Sequence, residues 1–288
     1  MAEASLLKSV TIKRGKDAPD SRMWRGSAAA AGDKCYFLPY NSTNIRVYDA
    51  AKDDWLALRP SLYTHAGLAV IDGLVTTIGG RTPDTSFPEP TNVLQSQSNR
   101  RWIEKFPPMT ILDVDNKKAE MAVVQTGNSV IVIGGEHHGQ RVDMLDTTTS
   151  VWSALHEIPG YCDRGASAAV CGDELYMQNE NGDVFQCFLD ELKDDSKPES
   201  SVWTIPAKLP YSDSTLGSLC GQAVAIGGWN SKCSIQAYDP NKDCWYEIGK
   251  MAVNRQRPLV AQLSENKLVV VGSTEDDVTI TEIIIGIV

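Results

Sequence analysis

Gln222-Ala-Val-Ala-Ile-Gly227-Gly228, followed after a short loop by Ser234-Ile-Gln-Ala-Tyr238-Asp-Pro-Asn-Lys-Asp-Cys-Trp245, carries most of one structural unit in a single stretch of chain. An apolar run ends in two glycines, a second apolar run follows, and a polar turn leads to a tryptophan. Ahead of it lies another short apolar run, Leu216 to Leu219. The order recurs upstream as Ala119 to Val124, Ser129-Val-Ile-Val-Ile-Gly134-Gly135, Arg141-Val-Asp-Met-Leu145 and Trp152; in both copies the second glycine precedes the tryptophan by 17 residues. Short runs rich in Val and Ile, bounded by glycines and polar turns, predict strands. Each unit therefore holds four.

Trp55, Trp102, Trp152, Trp203 and Trp245 recur at intervals of 47, 50, 51 and 42 residues. Repeats of this length with four strands each predict propeller blades, since the 3.6-residue apolar stripe of helical solenoids is missing. Six units divide the 288 residues into 48 each. The expectation is an all-β, six-bladed β-propeller in one domain, 1–288, with blades near 26–59, 66–106, 119–157, 166–208, 216–250 and 258–288. Inner strands fall near 27–31, 66–71, 119–124, 166–171, 216–219 and 258–263. The last inner strand is followed by strands at Lys267 to Val271 and Val278 to Ile285, which leaves one strand lacking. Ser5 to Ile12, β-branched and ahead of the first inner strand, is expected to supply it as the outermost strand of the last blade, so that the ring closes without an open edge.

The succession of apolar strand, Gly-Gly, Tyr-Asp, turn and Trp resembles the kelch repeat, most closely over Tyr238 to Ile248 with Arg255 and Arg257 beyond. The resemblance extends over nearly the whole chain, in divergent copies. The glycine pair stands at Gly79-Gly80, Gly134-Gly135 and Gly227-Gly228, where positive φ and close backbone approach are expected. Leu38-Pro39-Tyr40, Gln178-Asn179 and Val271-Gly272 replace it elsewhere. The aromatic before the polar turn is read as Tyr48, Phe185 and Tyr238, with Leu94 and Leu145 in the other copies. The five tryptophans are read as packing residues between blades.

A net charge of −10 argues against nucleic acid or an anionic membrane as the main partner. No stretch reaches the roughly 18 apolar residues of a membrane span, and Met1-Ala-Glu-Ala lacks the features of a signal peptide. A cytoplasmic monomer with seven reduced, mostly structural cysteines is expected. His137-His138 lacks further ligands at a zinc-type spacing, and Asp113-Val-Asp115-Asn116 lacks the glycine and terminal Glu of a calcium loop. Nucleophile elbow, phosphate loop and His-Glu-x-x-His are all absent. Neither cofactor nor metal is expected. Among enzymes of this fold, four scattered histidines argue against a copper oxidase of galactose-oxidase type, and the Glu-x-x-x-Asp-x-x-x-His run of the plant specifier proteins does not occur. A sugar mutarotase, which needs only a few polar groups over the channel, is excluded least.

Kelch blades put the connections between successive blades and the loops between second and third strands on one face. The opposite face gathers sixteen acidic against eight basic residues, including Asp190-Glu-Leu-Lys-Asp-Asp-Ser-Lys-Pro-Glu199, expected as a solvated turn. On the first face, Arg25, Lys118, Arg164 and Arg257 each precede an inner strand, with Arg81 and Arg141 in neighbouring loops. Tyr63, Tyr161 and Tyr211 stand in the connections and Trp229 directly follows Gly228. Arg, Tyr and Trp carry much of the binding energy at interfaces. These nine residues other than Lys118 are the expected partner site, for a protein or peptide of acidic or phosphorylated character. The resemblance further implies a scaffold or substrate adaptor of a ubiquitin ligase, acting through a BTB segment that these 288 residues do not contain; the alternative is a small-molecule enzyme of mutarotase or oxidase type.

Overall fold

A computed structural model describes residues 6–20, 23, 25–83, 94–98, 101–109, 119–135, 138–162, 166–231, 233–273 and 279–288. Strand β1 (Ser9–Arg14) precedes a series of antiparallel meanders. The first sheet holds β2 (Gly26–Ala31), β3 (Lys34–Pro39), β4 (Arg46–Asp49) and β5 (Asp54–Ala57); the second holds β6 (Gly67–Ile71), β7 (Leu74–Ile78), β8 (Leu94–Ser98) and β9 (Arg101–Ile103). The third is β10 (Ala122–Thr126), β11 (Ser129–Ile133), β12 (Val142–Asp146) and β13 (Val151–Ala154), and the fourth is β14 (Ser167–Cys171), β15 (Glu174–Gln178) and β16 (Val184–Phe188). The fifth comprises β17 (Thr215–Leu219), β18 (Gln222–Ile226), β19 (Ser234–Asp239) and β20 (Cys244–Lys250). In the last sheet, β21 (Leu259–Ser264), β22 (Lys267–Ser273) and β23 (Thr279–Ile287) are followed by β1, which pairs antiparallel with β23 from Ser9 opposite Ile287 to Arg14 opposite Glu282.

The first strands β2, β6, β10, β14, β17 and β21 neighbour one another in that order, and β21 returns to β2. The architecture is an all-β propeller around an axial channel. Second strands such as β11 (Ser-Val-Ile-Val-Ile) are nearly continuous apolar runs because each sheet is packed on both faces by its neighbours. First strands are built of small residues, Gly-Ser-Ala-Ala-Ala-Ala in β2 and Ser-Ala-Ala-Val-Cys in β14, where the sheets crowd towards the axis. Their inner edges would leave backbone donors unpaired, and side chains of adjoining sheets meet part of that need. Ser27 Oγ accepts from Leu68 N at 2.8 Å, Ser167 Oγ accepts from Leu216 N at 2.9 Å, and the Gln125 amide bonds both Val70 N and Val70 O.

The fourth sheet departs from the expected four strands. After β16 the chain forms a short helix α1 (Leu189–Leu192) and a 3₁₀ turn (Glu199–Ser201), and returns only through an isolated bridge between Gln186 and Thr204. The expected solvated turn at 190–199 is thus a folded insertion, with Leu192 and Val202 buried against Trp203. The strand registers also correct the aromatic position before the turn. Opposite the tryptophans stand Tyr48, Gln97, Leu145 and Tyr238, and the Gln186–Thr204 bridge puts Cys187, not Phe185, opposite Trp203. In the second sheet the position belongs to Gln97 and not to Leu94.

Candidate functional site

One or two residues before five of the first strands, among the described residues, the backbone turns left-handed. Arg25, His65, Glu120, Asp213 and Arg257 have φ between 43° and 60°, a region that costs an L-residue roughly 1–2 kcal/mol; the sixth place in this series is Gly165 by sequence. The conformation lets backbone groups bond around the mouth of the channel. Arg257 N donates to Asp213 O at 2.7 Å, Arg25 N to Arg257 O at 2.8 Å, and Glu120 N to His65 O at 3.0 Å.

The side chains on this rim are charged or titratable, and they pair. Arg25 forms an ion pair with Glu120, whose side chain is only 7% exposed; His65 Nε2 lies 3.9 Å from the same carboxylate. Tyr40 completes the cluster, its ring 4.7 Å from the Arg25 guanidinium and edge-on to His65 at 4.4 Å. Arg257 pairs with Asp213. Arg25 and Arg257 line one cavity at the mouth together with Ser27, Ser167, Ser214 and Thr215, about 650 Å³ including space open to solvent. A smaller recess of about 370 Å³ lies beside it, walled by Arg25, Tyr40, His65 and Glu120.

The glycine pairs explain why loop and connection come so close. A Cβ on Gly134 would stand 2.5 Å from Cys162 O in the connection leaving its sheet, and one on Gly135 2.9 Å from Ala119 O in the connection arriving there. Gly227 and Gly228 meet Arg255 O and Ser212 O in the same way; Gly79 and Gly80 also have positive φ, and Gly80 abuts Thr64 O. In the first sheet, where Pro39-Tyr40 stands in place of the pair, the glycine has moved to the opposing strand: Gly26, at φ 134°, packs against Leu38, Pro39 and Tyr40.

Of the predicted partner residues, Arg25 and Arg257 converge on one cavity. Arg164 lies outside the described residues, as do Lys118 and His137. Arg81 bridges backbone-to-backbone with Thr64, and Arg141 is paired with Asp143, so neither lines the mouth cavity. Tyr63 and Tyr211 are half-buried beside Gly80 and Gly228, whereas Tyr161 and Trp229 are 55% and 54% exposed. Arg255, which follows the kelch-like stretch together with Arg257, is buried and ion-paired with Glu282 at 2.6 Å. Sequence reading missed His65, Glu120, Asp213 and Tyr40. Three of them occupy the same place relative to the first strand as Arg25 and Arg257; aligning Lys118 with Arg25 put the third sheet two residues out of step, where Glu120 is the counterpart.

The tryptophans hold the connection arriving at their own sheet. The indole N–H of Trp55 donates to Lys16 O at 2.8 Å, Trp102 to Pro60 O at 2.6 Å, Trp152 to Pro107 O at 3.1 Å and Trp245 to Ala207 O at 2.8 Å. In two sheets an aspartate of the polar turn takes the neighbouring N–H. Asp53 accepts from Lys16 N and the Tyr48 hydroxyl, and Asp243 from Ala207 N and the Tyr238 hydroxyl. These bonds hold both carboxyls below the usual range, the tyrosine hydroxyl contributing most. The acidic face is therefore partly structural. Trp203 differs from the rest: it is buried, its N–H has no partner among the described residues, and the folded insertion holds the connection in its stead, with His156 Nε2 bonded to Asp194 O and Glu157 N to Glu199.

Among the described residues no three His, Cys, Asp or Glu side chains are grouped to hold a metal, and no helix is long and apolar enough to cross a membrane. Cys35, Cys162, Cys171 and Cys187 are buried free thiols; burial pushes Cys35 and Cys171 up to about 12. The described rim thus offers charge, hydrogen bonds and aromatic area, without a nucleophile activated by a neighbouring base.

A kelch motif matches residues 210–252. The chain is 24% identical over 224 residues to Kelch-like protein 25 of Xenopus tropicalis, a match that covers 72% of this chain and 36% of that protein. Its fold is similar to that in a structure of YjhT, with a TM-score of 0.71 at 16% identity, over 92% of this chain and 95% of the other. With its glycine pairs, its Tyr-Asp-Trp turns and its ring of meanders, the chain is an all-β propeller that carries a kelch motif and is similar to a kelch-like protein.

Proposed function

We propose that this protein is a non-enzymatic interaction module whose partner lays an extended or turn-forming peptide over the channel mouth. The observation that carries the reading is the exposure of Trp229 and Tyr161 on the loop face that also bears Arg25 and Arg257. Large aromatics left half in water on a face that also carries arginines are the composition of binding hot spots. We read the six sheets as six blades of a single domain over 1–288, with β1 as the outer strand of the last; the return of β21 to β2 and the β1–β23 pairing support this count. The partner is an acidic or phosphorylated segment, whose anion competes with Glu120 and Asp213 for the rim guanidiniums. By its likeness to a kelch-like protein, the module acts in the cytoplasm as a substrate adaptor, and joined to a scaffold it serves a ubiquitin ligase.

The test is affinity capture followed by quantitative binding. Trp229→Ala and Tyr161→Ala should each cost about 2 kcal/mol of partner affinity, with folding intact because both side chains are exposed. Asp33, Asp173 and Asp195, exposed on the acidic face, are the controls; Asp53 and Asp243 are unsuitable because they hold connections in place. Loss of binding in the control set with none in the aromatic set would refute the choice of face.

A second reading rests on the recess at His65, where a carboxylate, an imidazole, a phenol and a guanidinium converge. Such convergence is what a small-molecule enzyme requires. Turnover of a sugar by the purified protein, abolished in Glu120→Gln, would favour it over the binding module.

A further inference from the structure

The segment Leu7–Arg14 sits in a slot that reads it in detail. Leu7 is 2% exposed; its N–H donates to Gln222 Oε1 and its carbonyl accepts from the Tyr246 hydroxyl, both at 2.8 Å. Gln222 Nε2 in turn donates to Tyr246 Oη at 3.1 Å and to Tyr238 O at 2.6 Å, so both groups that bracket Leu7 are fixed beforehand. Two glycines make room for its side chains. A Cβ on Gly286 would stand 2.9 Å from Leu7 Cδ2, and one on Gly249 would stand 2.5 Å from Val10 Cγ2. Val10 and Ile12 complete an apolar cluster with Leu219, Ile235, Ile248 and Ile284.

The strand pairs with β23 on its inner side and packs over β20 of the fifth sheet. Without β1, the edge of β23 presents Thr-Ile-Thr-Glu-Ile-Ile-Ile-Gly-Ile, nine residues of high β propensity with a single charge. Such an edge is a template for another strand. With β1 in place the outermost edge carries Lys8, Lys13 and Arg14, charges that discourage further pairing.

We propose that this slot is a strand-exchange site whose alternative occupant is the Leu7–Arg14 segment of a second copy of the chain. Every contact within the slot is the same whether the strand belongs to its own ring or to another. The difference between the closed monomer and the exchanged dimer therefore lies in the connection Gly15–Arg25. That connection is held at its start, where Lys16 O accepts from Trp55 and Lys16 N donates to Asp53, and further along by Ala18 N donating to Thr279 O at 3.2 Å, by the Asp20–Arg46 ion pair and by the fully buried Met23, contacts that the exchanged form must keep or replace. Exchange of an identical element is a low-cost route to a dimer, and it is reciprocal and closed: each chain fills the other's slot. The partner is specified by the slot as a strand of pattern Leu-x-x-Val-x-Ile, whose first residue is recognised through its backbone by Gln222 and Tyr246.

The full chain carrying Thr11→Cys and Ile285→Cys tests this, because the two positions face each other in the β1–β23 register. A crosslink within one chain runs as a monomer on a non-reducing gel, whereas a crosslink between exchanged strands runs as a dimer. After incubation from micromolar to millimolar concentration, the dimer fraction should rise in proportion to concentration while it remains minor. It should be absent in each single variant. If the double variant fails to fold, wild-type chain mixed with isotope-labelled chain should yield a mixed dimer by native mass spectrometry, and an added peptide of residues 5–18 should suppress it. Monomer alone at every concentration, or a dimer indifferent to the peptide, overturns the proposal.

Discussion

Replacing Arg255 with methionine isolates the energetics of a buried charge. Arg255 reaches from the connection between the fifth and sixth sheets into the sixth, where its guanidinium contacts Glu282 at 2.6 Å, Ile280 O at 3.3 Å and Met251 Sδ at 3.4 Å. Burial pulls the guanidinium down from its ordinary value and Glu282 pushes back. Glu282 also accepts from Ala252 N at 2.8 Å, and Gly272 leaves the space in which the arginine stem lies. Arg255→Met keeps most of the stem's volume but leaves a carboxylate buried with one backbone donor, a loss of about 3–5 kcal/mol. In a chain of this size that corresponds to a fall in Tm of roughly 10 °C. Glu282→Gln alone should cost a similar amount, since it strands the guanidinium. The double variant Arg255→Met/Glu282→Gln, with neither charge, should recover to within about 2 kcal/mol of wild type. Urea unfolding of the four proteins, with slopes compared before midpoints, measures the cycle. A double variant as unstable as the two single losses added together would refute the argument, because the pair would then contribute nothing as a pair.

Gly134→Ala should cost about 2 kcal/mol or more by thermal or urea unfolding, from left-handed strain at φ 62° added to the approach of Cys162 O; Gly127→Ala, at φ 54° with open space around it, should show only the strain, about 1 kcal/mol. Asp53 and Asp243 titrate below the usual range when folded, so the stability they confer is present above the unfolded value of about 3.9 and is lost as pH falls through the folded values. The urea midpoint should decline below about pH 4, and Asp53→Asn/Asp243→Asn should flatten that acid limb. Under native conditions a thiol reagent should label Cys220, Cys233 and Cys244, which are partly exposed, and reach Cys35, Cys162, Cys171 and Cys187 only on unfolding.

The inner strands were legible because most are short apolar runs closed by glycine or a polar turn, and the tryptophan spacing fixed their grouping. Gly134-Gly135 and Gly227-Gly228 gave loop geometry directly, since no other residue tolerates those carbonyls at such distances. Where the signal was a residue type without a partner, reading failed. Arg255 and Arg257 look alike in sequence, yet one is buried against Glu282 and the other stands at the channel mouth; their difference lies in β23 and in Asp213, more than twenty residues away. Trp203 kept its spacing although the strand around it had been replaced by the insertion, because an indole at that depth packs with or without a ladder. His65 and Glu120 carried no local pattern at all, and only the common left-handed backbone of the rim brings them into one series with Arg25.

The tryptophan bonds to arriving connections also impose an order on how the chain becomes a ring. Each joins residues 38 to 45 positions apart, and each is complete as soon as its own meander has been synthesised. A chain emerging from the ribosome can secure its meanders one after another, since each indole finds its carbonyl among residues already made. The contact between Leu7 and Tyr246 spans 239 positions, and the β1–β23 ladder spans more. The ladder must wait for the last strand, and the closure of both is costly until the intervening sheets have folded and brought the two ends together. Throughout synthesis, then, the segment before Gly15 is the part of the molecule without its final neighbours, and the time it waits is set by how quickly the rest is made.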